Sequence, residues 1–329
     1  MSTDAASTRF APVLSGRRRG FVDHFGDRGL HAVTFLAALL SVAVAGGLAA
    51  KVFSEAWQAV STFGPGFLVH SNWDPVHQQF GAGALIYGTA VSSFGALLIA
   101  TPLSIAIALF LTELSPSKAR TPIGTMVELL AGIPSVILGL WGILILGPVM
   151  RSTMEPVLHS SLGRIPVIGN FFGSDYSIVG LLPAIVILTI MTVPIVSSLT
   201  REIFATVPRS DREGALALGA TRWEMIKTAV LPYSRPGIVG AVILGLGRAV
   251  GEAIAVTQVI GGAEGVKTNI FLPSDSLASR IAGQYQGATS ELHISSIAYL
   301  ALILLVLSVI FNGGARLLVR STQQRGRHG

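Results

Sequence analysis

The chain is dominated by long intervals that contain no Asp, Glu, Lys or Arg. Residues 30–50, 81–112, 129–150, 176–200 and 292–315 carry none, and a sixth apolar stretch, 236–262, is interrupted only by Arg248 and Glu252. Each reaches the roughly 20 residues that a helix needs to cross a hydrocarbon core of about 30 Å. Helices apolar on every side would need a very large core in water, and little chain is left to build one. The pattern predicts an all-α, polytopic membrane protein with about six transmembrane helices. Arg17, Arg18 and Arg19 precede the first stretch as in an export signal. That stretch exceeds the roughly 7–15 apolar residues of a signal core, and further spans follow, so it reads as a retained first helix.

Composition agrees: 51% of residues are hydrophobic and 12% charged, against about 25% charged in soluble domains. The absence of cysteine excludes disulfides, thiolate catalysis and Cys-ligated zinc. Of 23 Lys and Arg, only Lys51, Arg151, Arg164, Lys267 and Arg280 fall in the alternate, outer segments and Arg248 lies in a span, which leaves 17 inside. By the positive-inside rule both termini face the cytoplasm. The expected layout is a cytoplasmic tail at 1–29, a transmembrane domain at 30–318 with a cytoplasmic loop at 201–235, and a cytoplasmic tail at 319–329. Three long outer loops are expected at 51–80, 151–175 and 262–291. Trp57, Trp73, Phe171, Phe172 and Tyr176 read as interfacial anchors, and the loop histidines His70, His77, His159 and His293 show no metal-ligand spacing.

The loop at 201–235 carries the densest local signals. Ser210 with Glu213, and Thr221 with Glu224, each have capping-box spacing. Gly219 stands where a helix end favours positive φ, and Leu231-Pro232 closes or kinks the second helix. The expectation is two short capped helices hinged at Gly219. A helix-turn-helix clamped between two spans could hardly enter a major groove, so nucleic acid is not an expected partner. No Lys follows a Gly anywhere, so a G-x-x-x-x-G-K-[ST] phosphate loop is absent and any ATP hydrolysis must come from another subunit. No cofactor or metal is implied.

Arg248 and Glu252 lie four residues apart near the middle of a span, on one helical face. An intramembrane Arg costs about 2.5–3.5 kcal/mol on insertion scales and needs a partner or a wet pathway. The pair either fixes packing or presents a bidentate fork to an oxyanion, with Glu252 holding the guanidinium when the site is empty. Gly247 and Gly251 form a small-xxx-small pair that invites a close helix neighbour. Ser135 after Pro134, and Thr189 and Thr192 before Pro194, are polar groups beside helix breaks; they line the pathway or bond back to their own helices. Glu128 reads as snorkelling to the cytoplasmic surface or pairing with a basic loop residue rather than as a substrate contact.

The 201–235 loop resembles the signature of ABC-importer permeases, Glu-Ala-Ala-x3-Gly-x9-Ile-x-Leu-Pro, with Glu213, Ala215, Gly219, Leu231 and Pro232 in register and Gly214 and Ala229 as departures. The chain is further similar to the phosphate-specific permeases of the PstC family. That similarity rests on Asn72-Trp-Asp-Pro-Val, Phe110-Leu-Thr-Glu113, the run from Glu128 to Gly142, and Gly247-Arg-Ala-Val-Gly-Glu252-Ala-Ile-Ala-Val-Thr257. The resemblance implies a type I ABC importer permease fold in the bacterial inner membrane. It implies a sister permease PstA, two copies of the ATPase PstB, the external binding protein PstS, and phosphate as transported ligand. It makes Ser210, Glu213, Ala215 and Gly219 the ATPase coupling residues, and matches Arg248 and Glu252 to a charged pair required for transport. Alternatives are the same machine importing sulfate or molybdate, or an ion-coupled secondary transporter, which leaves the signature loop unexplained. A membrane enzyme would need clustered catalytic carboxylates or metal ligands that the sequence lacks.

Overall fold

A computed structural model describes residues 21–325. Arg9, Arg17, Arg18, Arg19 and Arg327, counted above in the tails, lie outside the described residues. The chain divides into two units, residues 1–50 and residues 51–329. Helix α1, Phe21–Phe63, supplies the described part of the first unit. There Leu30, Val33, Phe35, Leu36, Leu39 and Leu40 are all exposed, an apolar surface suited to lipid.

In the second unit α1 continues through Lys51 to Phe63, so the expected outer loop 51–80 begins as helix. A two-stranded hairpin follows, β1 Trp73–Asp74 paired with β2 Gln79–Phe80. Then come α2 Gly83–Leu114, α3 Ser117–Ala131, α4 Ser135–Leu162 and α5 Leu181–Ala205. The remaining helices are α6 Arg209–Ala217, α7 Arg222–Gly251, α8 Ile254–Ile260, α9 Leu277–Gln284 and α10 Glu291–Arg325. Six of the described segments are long and apolar enough to cross a membrane.

Helix α5 is the centre of this unit, with 78% of its apolar window buried. It packs most extensively on α2, through a stripe of small buried residues, Ser92, Ala96, Ala100, Ser104 and Ala108, spaced by four. Small side chains let two backbones approach closely where lipid offers no hydrophobic drive. Leu181, Ile187, Leu188 and Met191 of α5 meet Ala255, Val259 and Ile260 of α8 and Phe271 in the main core. A second cluster, Phe67, Trp73, Phe80, Leu277, Ile297 and Leu300, closes the hairpin end. A third, Ala108, Phe204, Val207, Met225, Ile226 and Val230, lies at the α6 end.

Several expectations are corrected. The third span was expected at 129–150. Pro134 disfavours helix at the residue before it, so α3 stops at Ala131 and the spanning helix runs Ser135–Leu162. Glu128 therefore sits on a separate helix, where it pairs with Arg201 at the end of α5. The 151–175 loop is helical to Leu162, and 262–291 contains α9. Trp73 is no interfacial anchor: it is 1% exposed inside the hairpin-end cluster, its indole N–H donating to Gln284 Oε1 at 2.7 Å.

Candidate translocation and coupling sites

The apolar stretch 236–262 is not one helix. Helix α7 ends at Gly251, Glu252 turns extended at φ −74° and ψ 111°, and α8 starts at Ile254. The Glu252 carboxylate turns toward the new helix, accepting from the Ala255 N–H at 3.4 Å. A carboxylate there satisfies an orphan donor and faces the positive end of the helix. Arg248 Nη2 stands 3.9 Å from Glu252 Oε2, with 43% of its side chain exposed against 11% for Glu252. The carboxylate is held and the guanidinium is half-open. Broken backbone at membrane depth is tolerated where protein or a water-filled cavity receives its freed groups. Close-packing glycines of α7 are Gly237 and Gly245, where a Cβ would come within 2.7 Å of Ile203 and of Val196. A Cβ on Gly251 would meet nothing within 4 Å, so the face beside Glu252 is uncovered by this chain.

The other pathway candidates are scattered. Thr189 is 7% exposed and its hydroxyl bonds back to Ile185 O at 2.7 Å. Thr192 is 1% exposed and packs where α7 passes at Gly245. Ser135 is half-buried at the start of α4. Among the described residues, no hydrogen bond or ion pair joins these three to Arg248 or Glu252.

Beyond the break, Thr257 and Gln258 of α8 line a cavity of about 420 Å³ with Ser279, Arg280, Gly283 and Gln284 of α9. Arg280 Nε lies 2.6 Å from Asp275 Oδ2, each side chain 4% exposed. The guanidinium also lies 5.6 Å from the Trp73 ring centroid. Burial pushes the Asp275 carboxyl above its usual range, more than Arg280 pulls it down. Sequence reading counted Arg280 only as an outer charge. The signal that could have found the pair was a lone acid and base flanking Ser276, which caps α9 by accepting from the Ser279 N–H.

At the opposite end of α2 and α5, the loop forms α6 and then enters α7. Gly219 has φ +87°, the left-handed turn its position called for. The Thr221–Glu224 capping box forms, with both reciprocal bonds present. The Ser210–Glu213 box does not: Pro208 is the N-cap residue, and the Ser210 hydroxyl points to Asp211 Oδ1 at 3.2 Å. With Arg209 already helical, Ser210 lies two positions past the N-cap, too late to cap. Leu231-Pro232 does not end a helix either. A π-helical turn, Ile226–Val230, widens the backbone ahead of the proline and lets α7 run on to Gly251. Only one short helix, α6, therefore stands free, and Glu213 on it is exposed while Ala215 is half-buried. Leu216, Leu218 and Trp223 project at 44%, 91% and 60% exposure, an apolar tip beside Gly219.

Residues 100–324 match the family described as the binding-protein-dependent transport system inner membrane component. A relative from Mesorhizobium japonicum, named phosphate transport system permease protein PstC, is 44% identical, covering 95% of this chain and 97% of its own. Proteins of the same name from Pasteurella multocida and Haemophilus influenzae are 41% and 39% identical, over 89% and 95% of this chain and 91% and 99% of theirs. Among solved structures, a bacterial alginate ABC transporter chain matches with TM-score 0.56 at 18% identity, over 92% of this chain and 98% of that one. A chain of the MetNI methionine ABC transporter matches with TM-score 0.50 at 21% identity, over 74% and 94%. At those identities the likeness establishes the type I importer permease fold. The chain belongs to the family of binding-protein-dependent transport system inner membrane components, as a multi-pass permease subunit of the PstC group.

Proposed function

We propose that this permease subunit carries inorganic phosphate inward across the bacterial inner membrane, driven by ATP hydrolysed on a partner. The observation that carries the reading is the half-open Arg248 guanidinium beside the helix break, next to a carboxylate fixed by the following helix. A planar fork of donors suits a tetrahedral oxyanion, and a bound anion would take the place Glu252 only loosely fills. The names borne by the relatives favour phosphate as that oxyanion. The uncovered Gly251 face is where a second permease subunit, PstA, completes the pathway. Two PstB ATPases and the binding protein PstS complete the machine. One ATPase receives α6 with its apolar tip, through Ser210, Glu213 and Ala215, and Gly219 serves as the hinge. The distribution of Lys and Arg supports a cytoplasmic position for both termini and α6.

Phosphate uptake and complex yield, measured across Arg248→Gln, Glu252→Gln, the double variant and Arg248→Lys, test the site. Uptake should vanish in Arg248→Gln and in the double variant while assembly stays normal, and Lys should rescue it in part. A packing pair would behave otherwise: removing one partner strands a charge and lowers yield, and the double variant recovers. Recovered uptake in the double variant ends the claim. Orientation is tested by reporter fusions, outside after Gly262 and Asp175, inside after Thr206 and Arg320. A cytoplasmic signal from 151–175 overturns it.

A further inference from the structure

Helix α6 is fastened to the membrane body in an unusual way. None of its nine residues is buried, and only Arg212 and Ala215 are even half-buried. An amphipathic helix is ordinarily held by an apolar face. This one is held chiefly by a single guanidinium. Arg212 Nη1 donates to Val207 O at 3.0 Å, and Nη2 donates to Phe204 O at 2.6 Å and to Glu113 Oε1 at 3.0 Å. The Phe204 carbonyl belongs to the last turn of α5 and the Val207 carbonyl to the linker just beyond it, at the helix end where a cation is favoured. Glu113 belongs to α2, ninety-nine residues away in sequence. The ion pair is well sheltered, with 20% of the Arg212 side chain and 10% of Glu113 exposed, against the third apolar cluster.

The chain itself connects α6 to α5 through Pro208 and to α7 through Gly219. It offers no connection to α2. Arg212–Glu113 supplies one, and it reaches α2 within the π-helical turn Phe110–Leu114. A second π turn, Ile226–Val230, lies in α7 within the same cluster. Such turns break the regular helical bonding and recur at functional sites. We infer that Arg212 and Glu113 form a latch that transmits movement of α6 to the second span, so that a stroke delivered at the cytoplasmic loop reaches α2 as well as α5 and α7. Arg212 and Glu113 are positioning residues: they act through helices and touch no substrate. The inference rests on the reading of α6 as the ATPase-coupling element.

The test uses the complete transporter reconstituted in vesicles, with phosphate uptake and ATP hydrolysis measured on the same preparation. Glu113→Gln and Arg212→Gln should assemble and hydrolyse ATP while uptake per ATP falls at least about fivefold, the lower end of ordinary coupling between sites. The charge-exchanged double variant, Glu113→Arg with Arg212→Glu, should regain part of the lost ratio. An unchanged ratio in both single variants overturns the latch. Glu113→Gln keeps the side-chain volume and an acceptor, so it decides alone if Arg212→Gln does not assemble. If neither assembles, the pair is a structural anchor and the inference fails. Gly219→Pro separates the two levels. If it leaves uptake per ATP and ATPase association intact, α6 is not the coupling element; if it impairs them while Glu113→Gln is neutral, only the latch is lost.

Discussion

Replacing Asp275 by Asn isolates a buried charge whose fate can be worked from the geometry. Asp275 and Arg280 are each 4% exposed, 2.6 Å apart, at the N-terminal end of α9. Taking both charges out of water costs about as much as their attraction returns, so the pair itself adds little net stability. Losing one partner is another matter. In Asp275→Asn the guanidinium stays against the Trp73 ring and the Gly262 carbonyl at 3.5 Å, with no counter-charge. Breaking a buried pair this way costs about 3–5 kcal/mol. At a few degrees per kcal/mol for a chain of this size, the midpoint for loss of monodisperse complex on heating should fall by about 6–12 °C. The double variant Asp275→Leu with Arg280→Met should return to within about 1 kcal/mol of the parent, because neither desolvation cost remains. A single variant as stable as the parent, or a double variant as unstable as the single, would refute the reasoning.

Three further outcomes are expected. Gly214 lies exposed in α6 with nothing within 4 Å of an added Cβ, whereas Gly219 is equally uncrowded but at φ +87°. Gly214→Ala should protect the α6 amides from hydrogen exchange by roughly 0.5–1 kcal/mol, and Gly219→Ala should cost about 1–2 kcal/mol; shifts of the same sign would contradict the assignment of the turn. Gly88→Ala places a Cβ 1.9 Å from the Asp275 carbonyl oxygen, backbone against backbone, so folded protein should be lost, and normal yield would show that α2 and the segment before α9 pack differently. Thr221→Ala removes the capping box that starts α7 and should lower protection of residues 222–226 by about 1 kcal/mol, with unchanged exchange as the contrary result.

The sequence by itself determined the class of molecule. Charge-free intervals of span length, the absence of a phosphate loop and the register of Glu213, Ala215 and Gly219 are local or compositional facts, and Gly219 did adopt the positive φ that its place at a helix end demanded. Helix ends were less legible. Charge marks where a side chain meets water, not where hydrogen bonding stops, so α1 ran on past Lys51 and α4 past Arg151. Leu231-Pro232 reads as closing or kinking the second helix, but a π turn just ahead of it, Ile226–Val230, lets α7 run on to Gly251. At the site, spacing placed Arg248 and Glu252 on one face of a continuous helix. Only the fold revealed that the helix breaks between them and α8, holding the acid and freeing the base. Arg212–Glu113 and Asp275–Arg280 show the limit most clearly. Arg212 and Glu113 are far apart in sequence, and Asp275 and Arg280 stand at a spacing that no helical rule pairs. Arg212 and Glu113 meet because α2 and α5 pack side by side along small residues, which tertiary packing alone decides.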